Sequence, residues 1–406
     1  MKKSNTLISP ELNVGDNVFA YSETEISEIV KQRRSRLKTA STGTSQAKAV
    51  GDYDIKDVKG WTLREPVSKR AYTVIKIQTG SGLIGFGECA PLSPAEFEEA
   101  KRIIIGTPVT SFEVMAPKLM HVPTARAALN IAMLDVSGKI ANAPIFQYLG
   151  GPTRAKARAF APLTGNNDQE LISSMHRLKA LGFLAFGVPV PDTLWRNQGQ
   201  AFVLATRKRL DALRAAGGEG IDFVLNGDNS LTPGDAQMIC EAIENFHVFF
   251  FDEPCIPVSI GAIKKLSDEN VTPIGLGKKI TEERQILDLI RDDAVDIIRP
   301  SIGLNGISQI KRMAVVAETY YIAVGPENNG GPIGTAACLH LAASIPNFFI
   351  LNIPYSEAEE DRRMRSEIVM EPVETIKEGY VALLTNPGLG INVNEKNLDK
   401  YMEVSL

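Results

Sequence analysis

Polar side chains follow three apolar runs of strand length in the middle of this 406-residue chain. The residues at the ends of these runs are Asn226 and Asp228, then Asp252 and Glu253, then Lys278. Roughly 25 residues separate one run from the next, as in βα units whose parallel strands are buried on both faces. Because parallel strands end at one edge, these groups can meet in one site. Carboxylates beside a lysine can transfer protons, bind a divalent cation or form an ion pair.

The segment after Gly151 alternates between strand and helix patterns and predicts eight parallel strands. Between the predicted strands, apolar residues recur at helical spacing over 169–181, 232–245, 282–291, 306–319 and 332–344. Eight such units over roughly 200 residues indicate an α/β fold of the (β/α)₈ TIM-barrel type. The strand candidates are 158–162, 184–188, 223–226, 249–252, 274–277, 296–299, 322–326 and 348–353.

A smaller α+β domain precedes the predicted barrel. Residues 70–78 and 83–88 predict a β-hairpin around a glycine turn, and regular structure is expected to begin near Arg70. A helical pattern over 124–141 follows, and the segment 379–390 is expected to return to this domain as a strand and turn. The predicted organisation is an N-terminal extension (1–55), a capping domain (56–152), a barrel (153–360) and a C-terminal segment that completes the capping domain (361–406).

Composition excludes several functional classes. A net charge of −4 argues against a nucleic-acid surface, which needs clustered positive charge. The four cysteines are scattered without a CxxC pair, and the first residues lack the apolar stretch of a secretory signal. No run of about 18 apolar residues predicts a membrane span. Together these features predict a reduced, cytoplasmic protein that binds neither nucleic acid nor membranes.

Short motifs occur in both predicted domains. They are Gly85-Phe86-Gly87-Glu88, Leu134–Lys139, Tyr148–Gly151, Asp252-Glu253-Pro254, Ile298-Arg299-Pro300-Ser301, Asn305–Ile307 and Pro387–Gly390. These motifs resemble the enolase superfamily, in its mandelate racemase, muconate lactonizing enzyme and acid-sugar dehydratase branch. The resemblance runs from about Arg70 to the C-terminus and implies a modified TIM barrel with an N-terminal α+β capping domain.

The resemblance also implies a chemistry: abstraction of a proton next to a carboxylate, with Mg²⁺ stabilising the resulting enediolate. In relatives, acidic residues ending the third, fourth and fifth strands hold the metal. Those positions align here with Asn226, Asp252 and Lys278. The remaining catalytic and substrate-binding positions of the family align with Gly187, Ser301, Glu327 and Asn352.

Lys278 is the largest departure from this pattern. An ammonium group has three donors and no acceptor, so it cannot ligate a cation. Because the strands of Asp252 and Lys278 should be neighbours, the ammonium can lie where the metal would. Lys278 then either forms a structural salt bridge or replaces Mg²⁺ and binds a substrate carboxylate. Glu327 is correspondingly either a solvated acid on a loop or a general base.

The candidate residues form three sets. Lys278 and Glu327 are candidate catalytic residues. Asp228, Asp252 and Glu253 are candidate ligands of a rearranged magnesium site, which the charge of Lys278 opposes. The candidate ligand-binding residues are Asn226, Arg299, Asn328 and Asn352.

Three functional hypotheses follow. The first is a diverged mandelate racemase-like protein that binds a small hydroxy-acid or sugar-acid carboxylate, with altered lyase or isomerase chemistry. The second is a catalytically inactive relative with a structural or ligand-binding role. The third is a conventional Mg²⁺-dependent acid-sugar dehydratase. The resemblance further implies a symmetric homo-oligomer.

Overall fold

The computed structural model describes residues 53–191, 199–256 and 259–406. The predicted N-terminal extension lies outside these ranges except for its last three residues. No helix in the described ranges is long and apolar enough to cross a membrane.

Within the described residues, the capping domain contains a four-stranded antiparallel sheet in the order β14–β1–β2–β3. The expectation that regular structure begins near Arg70 is wrong, because β1 precedes that residue. Charged residues interrupt the β1 sequence at its exposed positions, so its buried face shows no continuous apolar run. The strands are β1 (Ile55–Arg64), β2 (Ala71–Thr79), β3 (Ile84–Cys89) and β14 (Met402–Ser405).

Helices of the capping domain pack against this sheet. The longest of them packs its backbone directly on β3, where a Cβ added at Gly87 would lie 1.9 Å from the Ala128 carbonyl oxygen. Only glycine permits that approach of helix and strand. The helices are α1 (Pro94–Ile104), α2 (Phe112–Met115), α3 (Pro123–Ile140) and α4 (Ile145–Tyr148), with a 3₁₀ turn over Ala116–Leu119.

The described chain then forms the predicted barrel of eight parallel strands. The strands follow one another from β4 to β10, and β11 pairs with β4. A bridge between Val324 and Phe348 links the last two strands. The strands are β4 (Lys156–Pro162), β5 (Ala185–Pro189), β6 (Asp222–Asn226), β7 (Phe250–Asp252), β8 (Ile274–Leu276), β9 (Ile297–Ile298), β10 (Ala323–Val324) and β11 (Leu351–Asn352).

Helices separate the barrel strands, and side-chain caps fix several of their starts. Asn167 and Thr232 each accept a backbone N–H three residues ahead, as good N-caps do. Gly306 has φ 68°, which kinks α10 one turn after its start. The helices are α5 (Asp168–Ala180), α6 (Gln200–Gly217), α7 (Pro233–Ile243), α8 (Ile260–Asp268), α9 (Glu283–Arg291), α10 (Ile302–Thr319) and α11 (Pro332–Ser344).

The C-terminal tail, which runs from Glu359 to the last residue, differs from its prediction in the pairing of one strand. The strand expected to return to the capping domain pairs instead with barrel strand β4, antiparallel. The turn after it does reach the capping domain, where Gly388 accepts from the Ile145 N–H at 3.1 Å. Strand β14 then completes the capping sheet by pairing with β1. The tail elements are α12 (Glu359–Ile368), β12 (Ile376–Lys377), β13 (Tyr380–Ala382) and α13 (Glu395–Tyr401).

Candidate functional site

A cavity of about 450 Å³ opens at the carboxyl ends of the barrel strands, beneath the end of β3 from the capping domain. This is the position at which TIM-barrel enzymes bind their substrates. Most of the predicted residues lie on its wall. They are Asn226, Asp228, Asp252, Lys278, Glu327, Asn328 and Asn352.

Two cations and two carboxylates form the charged centre of the site. The Lys278 Nζ lies 2.7 Å from Asp252 Oδ2 and 3.9 Å from Glu327 Oε2. The Arg299 Nε donates to Asp252 Oδ1 at 3.0 Å, and its Nη2 donates to Glu327 Oε2 at 3.0 Å. The four formal charges therefore cancel, and the predicted proximity of Asp252 and Lys278 is confirmed.

Burial and pairing shift the pKa values within this cluster. Burial alone would lower the pKa of Lys278, but Asp252 and Glu327 outweigh it, so the pKa lies above its ordinary value. Burial would raise the pKa of Asp252, but Arg299 and Lys278 hold it below its ordinary value. Both side chains are therefore charged near neutral pH, and Lys278 is a stable cation rather than a base.

Arg299 does not reach the cavity, which corrects its prediction as a ligand-binding residue. Its side chain is 0% exposed, and its Nη1 donates to the Gly325 carbonyl oxygen. The guanidinium is thus fully engaged in holding Asp252, Glu327 and the backbone after β10. Arg299 positions the two carboxylates.

Glu253 is also turned away from the cavity, which corrects its prediction as a metal ligand. Its φ of 47° rotates the side chain out of the alternation of β7. Its Oε1 accepts the backbone N–H groups of Gly277 and Lys278, each at 2.7 Å. Glu253 therefore fixes the backbone that carries Lys278.

The amide side chains of the site divide into engaged and available groups. The Asn328 side chain is fully used within its own loop and the start of α11, because it forms hydrogen bonds with Gly330, Gly331 and Thr335. Asn352 donates to Glu327 Oε2 at 3.1 Å, while its own Oδ1 has no partner within the described residues.

Asn226 and Asp228 lie on another part of the cavity wall, at the end of β6. Asn226 stands in register with Asp252 on the neighbouring strand. Its Oδ1 accepts the Asp228 N–H at 3.1 Å, and Asp228 is exposed with φ 47°. Asp228 therefore lies at the lip of the cavity.

These donors do not fit a magnesium ion, which the family resemblance implies. Mg²⁺ needs oxygen ligands in near-octahedral geometry, but both Asp252 oxygens already accept from Lys278 and Arg299. The Lys278 ammonium offers no lone pair, and Glu253 faces the backbone. Across the described ranges, no group of three or more His, Cys, Asp or Glu residues is placed to hold a metal.

Several polar groups on the cavity wall were not identified as site residues from the sequence, and Glu88 is the most deeply buried of those with a charge. Glu88, at the end of β3, lines the cavity with only 2% of its surface exposed. Its Oε1 accepts the Gly331 N–H at 2.5 Å, and its Oε2 has no hydrogen-bond partner in the described part of the chain. A charged residue ending a buried strand, after two glycines, was the available signal.

Comparison with known proteins identifies the family. The model described as "Enolase C-terminal domain-like" matches residues 182–397. The N-terminal domain model of mandelate racemase and muconate lactonizing enzyme matches residues 61–150. The chain belongs to the mandelate racemase/muconate lactonizing enzyme branch of the enolase superfamily.

Similar members of this branch are known by sequence and by structure. A D-galactonate dehydratase family member from Paenibacillus sp. (strain JDR-2) is 26% identical over 68% of this chain and 72% of its own length. The D-galactonate dehydratase of Pectobacterium atrosepticum is 25% identical over 79% and 88%, respectively.

Solved structures in the same branch share the fold. A mandelate racemase/muconate lactonizing enzyme-like protein from Rubrobacter xylanophilus superposes with a TM-score of 0.79 at 22% identity, covering 87% of this chain and 98% of that one. The 3,6-anhydro-D-galactonate cycloisomerase of Zobellia galactanivorans gives 0.77 at 22% identity, covering 86% and 100%. These likenesses confirm the predicted barrel and capping domain.

Proposed function

We propose that the barrel binds a small hydroxy acid or sugar acid by its carboxylate, with the Lys278 ammonium in the place of a metal ion. The observation that carries this proposal is the 2.7 Å contact between Lys278 Nζ and Asp252 Oδ2 on the cavity wall. In the alignment that the family resemblance implies, Lys278 stands at the position of a metal ligand in relatives, which supports the proposal. The names of the sequence relatives, one a D-galactonate dehydratase and the other a member of the D-galactonate dehydratase family, support this class of acid.

Lys278 retains the hydrogen-bonding capacity that such a ligand needs. An ammonium carries three donors, and within the described residues only Asp252 lies at hydrogen-bonding distance from it. Two donors are therefore available for an incoming carboxylate. Asn352 lines the same cavity, and its buried Oδ1, which has no hydrogen-bond partner within the described residues, is the acceptor that we assign to a ligand hydroxyl.

Any proton abstraction in this site differs from that of the parent reaction. Glu327 lies on the cavity wall near Lys278, and it is the carboxylate that we assign to the α-proton. Arg299 Nη2 donates to its Oε2 at 3.0 Å, which holds the carboxylate in place. A single ammonium stabilises a developing enediolate less than a divalent ion does. We therefore expect slow, metal-independent lyase or isomerase chemistry.

Calorimetric titration with D-galactonate and glycolate tests the binding proposal. We expect both acids to bind equally well with Mg²⁺ and with EDTA. Lys278→Met should weaken binding at least about tenfold, since a charged hydrogen bond contributes roughly 1.5–3 kcal/mol. Lys265→Met, on the exposed face of α8, is the matched control and should bind as the wild type does.

The same samples in D₂O separate the remaining hypotheses. Exchange of the α-proton, followed by NMR and lost in Glu327→Gln, supports the diverged enzyme. Binding without exchange supports the inactive relative. Loss of water that requires Mg²⁺ supports the conventional dehydratase, which the dehydratase relatives favour, and contradicts the proposal.

The cellular location and the oligomeric state of the protein form part of the same proposal. We place it in the cytoplasm as a homo-oligomer without nucleic-acid partners. The net charge of −4 and four free, buried cysteines support this placement, and the family supports the oligomer.

A further inference from the structure

The Glu88 carboxyl lies in a cradle built for it by the loop that opens α11. A Cβ at Gly330 or Gly334 would lie 2.4 or 2.6 Å from Glu88 Oε1, and one at Gly331 would lie 2.7 Å from Oε2. Three glycines thus clear the space that the carboxyl occupies. The Gly331 N–H anchors Oε1, whereas Oε2 is buried and has no hydrogen-bond partner within the described residues. The Glu88 residue itself lines the cavity.

The charges around Glu88 already balance without it. Arg365 pairs with Glu65 at 2.5 Å and with Glu374, and Arg70 pairs with Glu65 at 2.9 Å. Two arginines and two glutamates sum to zero. An ionised Glu88 would therefore be an uncompensated negative charge in a buried position, which is costly.

The other titratable groups near Glu88 add no positive charge. Burial raises the pKa values of the Tyr72 phenol and of the Cys89 and Cys338 thiols, so all three are neutral near pH 7. Burial also raises the pKa of Glu88 to about 7, although Arg365 and the backbone N–H groups of Gly331 and Gly334 oppose the shift. Protonated and ionised forms are thus both populated near neutral pH.

We propose that Glu88 binds the acid ligand as a protonated carboxyl, donating a hydrogen bond from its free oxygen into the cavity. The proposal rests on the proposed function, because it takes the ligand to be an anion. A bound anion raises the cost of a second negative charge in the same cavity, so binding favours the neutral carboxyl. The proton comes from the buffer, and one proton is taken up for each ligand bound.

This coupling has a defined sign. The ligand carboxylate and Lys278 keep their charges near neutral pH, so Glu88 is the group that takes up the linked proton. Below about pH 6 Glu88 is already protonated in the free protein, and the affinity should be independent of pH. As the pH rises above about 7, the association constant should fall by up to tenfold per pH unit, because the proton must first be supplied.

Calorimetry of the full-length protein with D-galactonate measures this coupling directly. Titrations at pH 6, 7 and 8 in buffers of different ionisation enthalpy give the number of protons taken up. Wild type should take up close to one proton at pH 8 and far less at pH 6. Glu88→Gln keeps the size and hydrogen-bonding capacity of the neutral carboxyl, so it should bind with little dependence on pH and no proton uptake.

The outcomes distinguish the two proposals. Wild type that binds without proton uptake, or Glu88→Gln that retains the uptake, would overturn the role of Glu88 and leave Lys278 unaffected. A third outcome combines two results: Glu88→Gln loses the proton uptake, and Lys278→Met still binds the acid normally. This outcome would support the proposed role of Glu88 and overturn the proposed function. Wild type that binds no acid at all would overturn both.

Discussion

At the scale of single residues, Lys278 sets the charge of the site. The family resemblance implies carboxylates around a divalent cation, whereas here the Lys278 ammonium lies against Asp252. Arg299 and Glu327 complete a cluster whose charges cancel. The site therefore needs no ion for electrical balance. What it retains is a cation with free donors on a cavity wall.

Asp252→Asn tests how strongly this cluster is coupled to folding. The substitution removes the charge that both Lys278 and Arg299 face, leaving two buried cations poorly compensated. We expect the free energy of unfolding to fall by about 3–5 kcal/mol, measured by urea denaturation at pH 7. Asp268→Asn, in an exposed pair with Lys264, is the control and should change it by less than about 1 kcal/mol.

The pH dependence of this difference follows from the directions of the pKa shifts. The lowered pKa of Asp252 gives a stabilisation that is complete above about pH 4 to 5, and it fades as the pH falls toward the folded-state value. The raised pKa of Lys278 gives one that is complete below about pH 10 and fades above it. The difference between wild type and Asp252→Asn should thus stay constant from about pH 5 to 9. A marked decrease within that window would contradict the ion-pair assignment.

The sequence predicted part of this site for a clear physical reason. Neighbouring parallel strands bring their carboxyl ends together, so the meeting of Asp252 and Lys278 followed from strand order alone. The directions of Glu253 and Arg299 did not follow. Glu253 has left-handed backbone angles and Arg299 extends inward, and neither property shows in the pattern of apolar residues.

At the scale of elements, glycines set the distance between the capping domain and the site. Gly85 and Gly87 let α3 lie against β3, and β3 carries Glu88 at its end. Gly330, Gly331 and Gly334 then make room for that carboxyl. The placement of the Glu88 side chain thus depends on two close approaches, that of β3 to α3 and that of the carboxyl to the glycines at the start of α11.

Gly87→Ala tests this dependence. Its Cβ would lie 1.9 Å from the Ala128 carbonyl oxygen, a backbone atom that cannot rotate away. We expect the free energy of unfolding to fall by roughly 1–3 kcal/mol or more, since overpacking shifts the backbone. Gly234→Ala is a suitable control, because its nearest neighbour is a side-chain oxygen at 3.9 Å. Equal stability of the two variants would show that β3 and α3 tolerate separation.

Strand and helix patterns predicted most of the elements, and the exceptions have specific causes. The eight barrel strands are buried on both faces and read as continuous apolar runs. β1 was missed because Lys56, Asp57 and Lys59 interrupt its first half, so it shows no continuous apolar run. The pairing of β13 with β4 was not predicted either, since strand partners depend on the path of the whole tail.

At the scale of the whole molecule, buried polar contacts join the capping domain, barrel and tail. Arg365 on α12 bonds to Glu65 of the capping domain, to Glu374 of the tail and to the Gly330 carbonyl at 3.0 Å. Asp135 on α3 accepts the Phe86 N–H at 3.0 Å and the Leu389 N–H at 2.8 Å. These long-range contacts fix the capping domain over the cavity. The family resemblance predicted the arrangement, whereas the individual contacts required the fold.

Magnesium affinity is the most direct test of the central claim, that Lys278 occupies the place of the metal. Chelator-treated wild type and Lys278→Glu would be analysed for bound metal and titrated with MgCl₂ by calorimetry. We predict no stoichiometric Mg²⁺ binding by wild type and a gain of binding in the variant, which restores a carboxylate at that position. Stoichiometric binding by wild type would contradict the claim and indicate a metal site rebuilt around Asp228 and Asp252.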